Sequence, residues 1–326
     1  MYDIISIGSA TKDVFLISKG FKLIKSKKFK TGVGECFAYG SKVEIGDIYY
    51  DTGGGGTNSA WTFANFGLKT SVVSKVGDDI FGLEIMHALS ANKINSSNLV
   101  MDKSGKTGYS TILITPGGDR TILVYRGVSS SFNEHDFNWS KLKKTKAFYI
   151  SSLAGNLALL KKIFNFATRN KIKISWNPGS SEIKLGKQKL AGLIKQTANF
   201  NVNLEEAKKL TGKKDIKAIF NDLNKIAGKY SFVLVTDGSN GAYLSDGVLI
   251  YYVKALKAKV VNTTGAGDAF GSAFTAGLIL QNDWDYALRL AVLNSKGVIQ
   301  QMGAKKGLIS KLPNKASLNK IKINII

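Results

Sequence analysis

The chain has 326 residues, 44% of them hydrophobic, and a formal net charge of +23. That suits one folded α/β domain with an appended piece. A single cysteine, Cys36, excludes an internal disulfide; two histidines, His87 and His135, leave a zinc site short of ligands and any Ser-His-Asp triad dependent on one of them.

The charge is almost all lysine, since Arg120, Arg126, Arg169 and Arg289 are the only arginines. Specific nucleic-acid reading leans on bidentate arginine. The lysines are scattered, with pairs such as Lys161-Lys162, Lys208-Lys209 and Lys305-Lys306 at helix ends and turns, so they read as a solvated surface. A positive field of this kind also draws anionic ligands.

In chain order, Met1 to Gly8 reads as a first buried strand. It has no basic region and no signal-type apolar core, and no later run approaches transmembrane length, so a cytoplasmic protein is expected. Residues 15–50 show no helix but several short β-like runs, such as Val43 to Tyr50, and the densest basic stretch, Lys19 to Lys30. Asp51-Thr52 then leads into Gly53-Gly54-Gly55-Gly56-Thr57-Asn58 and a helix that stops at Gly67. Four glycines in a row cost backbone entropy, so an ordered role implies a close approach of ligand or backbone. A β-branched strand, Thr70 to Val76, ends at Gly77, and Asp78 or Asp79 is placed to cap the next helix, in which His87 falls. Thr107 to Tyr125 reads as a hairpin turning at Pro116-Gly117-Gly118-Asp119.

From Ala147 onward strands and helices alternate: Ala147 to Ser151, a helix from Asn156 to about Asn170, Lys171 to Trp176, Asn199 to Asn203, a helix from Glu205, and Ser231 to Thr236. This alternation predicts βαβ units and a doubly wound, mainly parallel sheet flanked by helices. Polar residues follow the strands at Asn177, Asn203, Thr236-Asp237-Gly238 and Asn262-Thr263-Thr264, where such sheets bind ligands. A late helix runs from Tyr286 to Gln301, and the tail from Lys311 to Ile326 is expected to be loosely attached.

The most telling segment is Asn262-Thr263-Thr264-Gly265-Ala266-Gly267-Asp268-Ala269-Phe270, which opens an apolar helix reaching about Leu280. Its glycines sit where the first N–H groups lack intrahelical partners and the macrodipole is positive, which makes an anion site. A carboxylate there, Asp268, fits a base that takes a proton from a hydroxyl attacking a phosphorus held by Gly265, Ala266 and Gly267. Taken alone, the segment also reads as a glycine turn with an Asp cap. Neither G-x-x-x-x-G-K-[ST] nor a strand-linked G-x-G-x-x-G is present, and a dehydrogenase reading fails with the latter.

Together these segments resemble the PfkB (ribokinase-like) family of carbohydrate kinases. Gly53 to Asn58 through Val76-Gly77-Asp78-Asp79-Ile80-Phe81-Gly82 is similar to its N-terminal signature, and Asn262 to Phe270 to its C-terminal one. Ile7-Gly8 with Asp13, Asn203-Leu204-Glu205-Glu206 and Val235-Thr236-Asp237-Gly238 lie between in the expected order, over about residues 2 to 308. The resemblance implies a single ribokinase-like domain over 1–326, with a small β lid from about 15–50 and 107–128 that often serves as a dimer interface. It implies ATP-dependent transfer of the γ-phosphoryl group to an alcohol hydroxyl of a sugar or sugar-derived molecule. Asp268 would be the general base, and Gly265, Ala266 and Gly267 the anion hole. Asp13, Gly53, Gly54 and Asn58 would bind the acceptor; Asn203, Glu206, Thr236, Gly238 and Asn294 would bind Mg·ATP, with Glu206 holding Mg²⁺ through water and Asn294 near the adenine.

The family commonly has Asp where this chain has Asn262, so monovalent-cation activation is not expected. Arg120 and Arg126 read equally as lid surface charges or as contacts to a sugar phosphate. A nucleoside kinase is the alternative within the family, with Phe37, Tyr39 or Tyr109 stacking on a base. A catalytically silent nucleotide- or nucleic-acid-binding protein is the alternative outside it.

Overall fold

The computed structural model describes residues 1–29, 32–115 and 120–326. Its strands, in chain order, are β1 (Tyr2–Ile7), β2 (Thr11–Ile17), β3 (Lys22–Lys25), β4 (Val33–Cys36), β5 (Asp47–Gly53), β6 (Thr70–Gly77), β7 (Asn95–Asp102), β8 (Gly108–Ile114), β9 (Arg120–Tyr125), β10 (Thr145–Ile150), β11 (Lys173–Trp176), β12 (Asn199–Asn203), β13 (Phe232–Thr236), β14 (Ala242–Ser245), β15 (Ile250–Val253) and β16 (Ile323–Ile325).

Ten of these make the main sheet, in the order β16-β15-β14-β13-β12-β11-β10-β1-β6-β7. Every pairing from β7 to β13 is parallel, and β14, β15 and β16 add antiparallel at one edge. Helices cover both faces, because alternate residues of each central strand are apolar and each face needs a partner. Phe148 and Ile150 pack with the helix Leu157–Arg169, while Ala147 and Tyr149 share a core with the helices Ala266–Gln281 and Trp284–Ile299. This is the expected doubly wound α/β fold. Asn156 begins the helix Leu157–Arg169 by accepting from Leu159 N through its side chain, and the helix stops at Asn170, as expected.

A second sheet, in the order β5-β2-β8-β9, stands apart. It begins at Thr11, earlier than the run from 15 onward, and its β5 is Asp47–Gly53 rather than Val43 to Tyr50. Strand β5 therefore ends in the glycine run, so the second sheet delivers the chain directly to the helix Gly55–Asn65. The β8–β9 hairpin forms as expected, with its Pro116 to Asp119 turn outside the described residues; Lys30 also lies outside them. Asp79 caps the helix Ile80–Ala91 by accepting from Gly82 N at 2.9 Å, and it also accepts from Thr107 N and Oγ1 at 2.8 and 2.6 Å, tying that helix to the entry of β8.

The tail corrects the expectation of loose attachment. Leu318 and Ile321 are buried, β16 pairs with β15, and Arg289 donates to the carbonyls of Leu318, Asn319 and Ile321 while bridging Asp285 at 2.7 Å. These partners are distant in sequence, which is why composition alone gave no sign of them. No helix among the described residues is long and apolar enough to cross a membrane.

Candidate active site

The glycine run of β5 and the helix after it is dictated by contact. Gly54 has φ 93°, a left-handed value that favours glycine, and a Cβ there would run into the Ser9 carbonyl. A Cβ on Gly56 would lie 2.8 Å from the Gly8 carbonyl carbon, and one on Gly53 would strike the Asp13 carboxylate. The helix Gly55–Asn65 is thereby pressed against the β1–β2 turn, and its first turn presents Asn58 to the helix Ala266–Gln281. There the Asn58 amide donates to Asp268 Oδ2 at 2.9 Å.

Gly265 precedes that helix with φ 79°, and a Cβ on it would meet Ala304 Cβ at 2.5 Å. Ala266, Gly267 and Asp268 form the first turn, whose N–H groups point out of the helix end; Ala266 N makes a 3.3 Å bond back to Thr263 O. Further along, Gly271 lets the helix lie on the sheet: a Cβ would come within 2.5 Å of Tyr149 Oη and 2.6 Å of Asn201 Nδ2. The structure thus brings Asp13, Gly53, Gly54, Asn58 and Gly265 through Asp268 to one place.

The electrostatics of this place are set by burial. Burial pushes the Asp268 carboxyl above its ordinary value; the Asn58 hydrogen bond and the Lys305 charge pull it back, and Asp13 pushes it up. Asp13 is 5% exposed and likewise raised by burial, against the Thr11 hydroxyl, which donates to it at 2.9 Å.

Lys305 was expected on the solvated surface. It is instead 6% exposed, donating to Thr52 O and to Thr52 Oγ1 at 2.8 Å, with Nζ 5.5 Å from the Trp61 ring centre. Burial pushes its ammonium down to about 8, while Asp51, Asp13 and Asp268 hold it up. Only its flanking Gly303 and Gly307, both at positive φ, hinted that this segment is threaded inward.

On the other side of the helix end, Ala266 and Gly267 open onto a cleft of about 430 Å³ that also meets Thr236 and Gly238. Phe270, Val292, Leu256 and Val260 supply its apolar wall, and Lys254, Lys257 and Lys296 its charge. Asn203 pairs in register with Thr236, beside this cleft. Asn203 and Glu206 form a reciprocal cap on the helix Leu204–Thr211: Asn203 Oδ1 accepts from Glu206 N at 2.9 Å, and Glu206 Oε2 accepts from Asn203 N at 3.0 Å. Burial raises Glu206 above the usual carboxylate range.

Asn294 is placed differently from the expectation. It is 0% exposed, donates to Ala269 O at 2.9 Å and Thr62 Oγ1 at 3.4 Å, and accepts from Ile309 N at 2.9 Å. It therefore locks three helical segments together in the interior. Its neighbour Ser295, with Val292, Lys296 and Ile299, faces the cleft instead, as the helical spacing demands.

Asn262, the departure from the family pattern, is buried. Its Oδ1 accepts from Thr264 N and Oγ1 at 3.1 and 2.9 Å, and its Nδ2 donates to Gly303 O at 3.5 Å. Sequence reasoning also missed Glu182, which is 0% exposed and accepts from Leu153 N, Gly155 N, Gly179 N and Ser152 Oγ, all between 2.8 and 2.9 Å. It fixes the loops after β10 and β11. His87 and His135 are exposed and neither lines the cleft.

Comparison with known proteins places nearly the whole chain in one family and fold. The family profile described as pfkB family carbohydrate kinase matches residues 3–311. A ribokinase of Lactococcus lactis is 30% identical over 278 residues, covering 84% of this chain and 87% of that protein. A probable fructokinase-5 of Arabidopsis thaliana is 26% identical, covering 82% of this chain and 87% of that one. Among solved structures, an adenosine kinase from Sinorhizobium meliloti superposes with a TM-score of 0.79 at 21% identity, over 95% of this chain and 97% of that one. An Arabidopsis thaliana ribokinase solved with ribose and ATP gives 0.77 at 19% identity, over 98% of each. The last two share the fold.

Proposed function

The chain belongs to the pfkB family of carbohydrate kinases, and from that membership we propose that Asp268 is the base with which it phosphorylates a hydroxyl of a small sugar at the expense of ATP. The observation that carries this reading is the position of Asp268. It stands at a glycine-initiated helix end, held by Asn58 and close to Asp13, and the Ala266 and Gly267 beside it open onto the Thr236–Gly238 cleft.

In this reading the triphosphate lies in the cleft, drawn by Lys254, Lys257 and Lys296. The N–H groups of Gly265, Ala266 and Gly267 hold the transferring phosphoryl group, and Ala266 exchanges its long bond to Thr263 for the ligand. Asp13, Gly53, Gly54 and Asn58 fix the acceptor, a carboxylate being well suited to receive hydroxyl protons. Asp268 removes the proton of the attacking hydroxyl as the phosphorus is transferred. The sheet of β2, β5, β8 and β9 covers the acceptor and keeps out water, the competing nucleophile.

Mg²⁺, when bound, neutralises charge on the phosphates. Among the described residues no cluster of three or more His, Cys, Asp or Glu side chains could hold a metal directly. Glu206 has one oxygen engaged by Asn203 N and the other available, which fits contact through water, the habit of Mg²⁺.

The test is ADP release with Mg·ATP against pentoses, hexoses, sugar phosphates and nucleosides. Turnover on a sugar supports the reading, turnover on nucleosides alone moves it to a nucleoside kinase, and no turnover on any of them sinks it. The aromatics that would stack on a base do not favour the nucleoside. Tyr39 is fully exposed, Phe37 packs on Phe21, and Tyr109 packs on Phe81 from the sheet face opposite Asp13.

Two further expectations arise here. Asn262 uses its amide to bridge Thr264 and Gly303, where a carboxylate would need a cation to reach the carbonyl. Activity should therefore agree within about twofold in K⁺ and Na⁺, and Asn262→Asp should make it depend on K⁺; a strong K⁺ response of the wild type would refute this. Strand β9 is an edge strand whose Ile122, Leu123, Val124 and Tyr125 are exposed, a patch suited to a second copy of the chain. Light scattering should find a dimer that Leu123→Lys converts to monomer, and a monomeric wild type at micromolar concentration would end that idea.

A further inference from the structure

The acceptor side of the site holds a positive charge with no role in the steps above. Lys305 spends two of its three N–H donors on Thr52 O and Thr52 Oγ1 and stands over Trp61. The remaining donor has no protein partner among the described residues. Asp51, Asp13 and Asp268 all act on this ammonium, yet among the described residues none closes an ion pair with it. A buried ammonium with carboxylates around it and none in contact is costly unless something polar fills the gap.

A second group in the same place is also unmet. Asn58 Oδ1 is buried without a hydrogen-bond partner, on the side chain whose amide already holds Asp268. Asp51 Oδ2 is buried and unpartnered as well, pressed against Gly303 two residues before the lysine, where a Cβ would strike it. Asp51 is thus placed as a fixed counter-charge for the segment that carries Lys305.

With Asp51 Oδ2 turned against Gly303, the unmet groups left for an acceptor are one N–H donor and one amide oxygen, beside Asp268 and the Asp13 carboxylate. A sugar hydroxyl can accept from the first and donate to the second. An ionised carboxylate or phosphate brings no proton for Asn58 Oδ1, and it would add negative charge where Asp13, Asp51 and Asp268 already surround Lys305, the nearby Lys12 being paired with Glu84.

Resting on the acceptor site described above, we propose that Lys305 is an acceptor-binding residue whose third N–H donates to an oxygen of an uncharged sugar, and that the site selects neutral polyols over sugar phosphates and sugar acids. Asp13 and Asn58 then receive acceptor hydroxyls, and Lys305 fixes the ring so that one further hydroxyl reaches Asp268.

The experiment uses the full chain with Mg·ATP and four probes: D-ribose and D-fructose as neutral acceptors, D-ribose 5-phosphate and D-gluconate as anionic ones. The wild type is expected to turn over a neutral probe and to use the anionic ones at least about 100-fold less efficiently. Lys305→Met and Lys305→Gln, checked for folding by thermal melting, should raise the KM of the neutral probe by about tenfold or more with the KM for ATP unchanged, the size of a lost hydrogen bond to a charged group. A purely structural lysine would move both constants together or neither. An unchanged acceptor KM in a folded variant overturns the proposal, as does a wild type that prefers an anionic probe; the latter holds even if the variants do not fold. Inactivity of the wild type on all four probes counts against the sugar-kinase reading itself and takes this proposal with it.

Discussion

Asp268→Asn is expected to lower kcat on the preferred acceptor by about 10²–10⁴-fold, the usual contribution of a positioned base, while the fold and the KM for ATP stay as they are. The substitution keeps the size of the side chain and removes its ability to take a proton. Stability should change little, because the new amide can still turn its oxygen toward Asn58 Nδ2 and keep that hydrogen bond. The pH profile provides a second reading. The Asp268 carboxyl is raised by burial, so its ionised, active form is lost as pH falls through that raised value. The wild type should show an acid limb in kcat/KM displaced above that of an ordinary carboxylate, and the residual rate of the Asn variant should lack it. A variant that retains a tenth or more of the wild-type kcat would remove Asp268 from the role of base.

Gly265→Ala should cost kcat about 10²–10³-fold, the range seen when an anion-stabilising donor is displaced. Two independent obstacles act on this methyl. The backbone has φ 79°, where an L side chain costs about 1–2 kcal/mol. The new Cβ would also stand 2.5 Å from Ala304 Cβ and 2.9 Å from its Cα, so the helix end or the Ala304 segment must shift. A shift of that size moves the N–H groups away from the phosphoryl position, and it disturbs the segment that carries Lys305. Ala304→Gly in the same chain removes the nearest obstacle and leaves the φ strain, so it should restore part of the rate. Steady-state kinetics on the single and double variants check this. Wild-type kcat in Gly265→Ala would show that the helix end does not hold the reacting group, and no recovery in the double variant would show that the Ala304 contact is not the cause.

Much of the fold was legible in the residues. Alternating β-branched and amphipathic runs from Ala147 to Thr236 predict parallel strands because both faces of such a sheet must be apolar, and β10 to β13 pair in that way. The glycines at 53–56 and Gly265 announce close approach because little besides glycine tolerates it, and the structure supplies the partners, among them Asp13, Ser9, Gly8 and Ala304, whereas a Cβ on Gly267 would meet nothing. What was misread has a common origin. Lys305, Asn294 and the tail beyond Lys311 have unremarkable neighbours in sequence, and their environment is made by Thr52, Thr62, Ala269 and β15, all far away along the chain. Asn294 was expected near the adenine; the helix Trp284–Ile299 turns it inward and leaves Ser295 on the cleft side.

The sequence by itself determined the fold class, the family and the place of Asp268 at a glycine-initiated helix end, because these depend on local rules: periodicity, helix-end chemistry and glycine's tolerance of positive φ. Only the tertiary structure decided which charges are buried and which polar groups are left without partners at the acceptor. Burial and pairing are set by segments that meet across hundreds of residues, as Asn58 meets Asp268 and Thr52 meets Lys305. The energy of a charge depends on that surrounding and not on its neighbours in the chain.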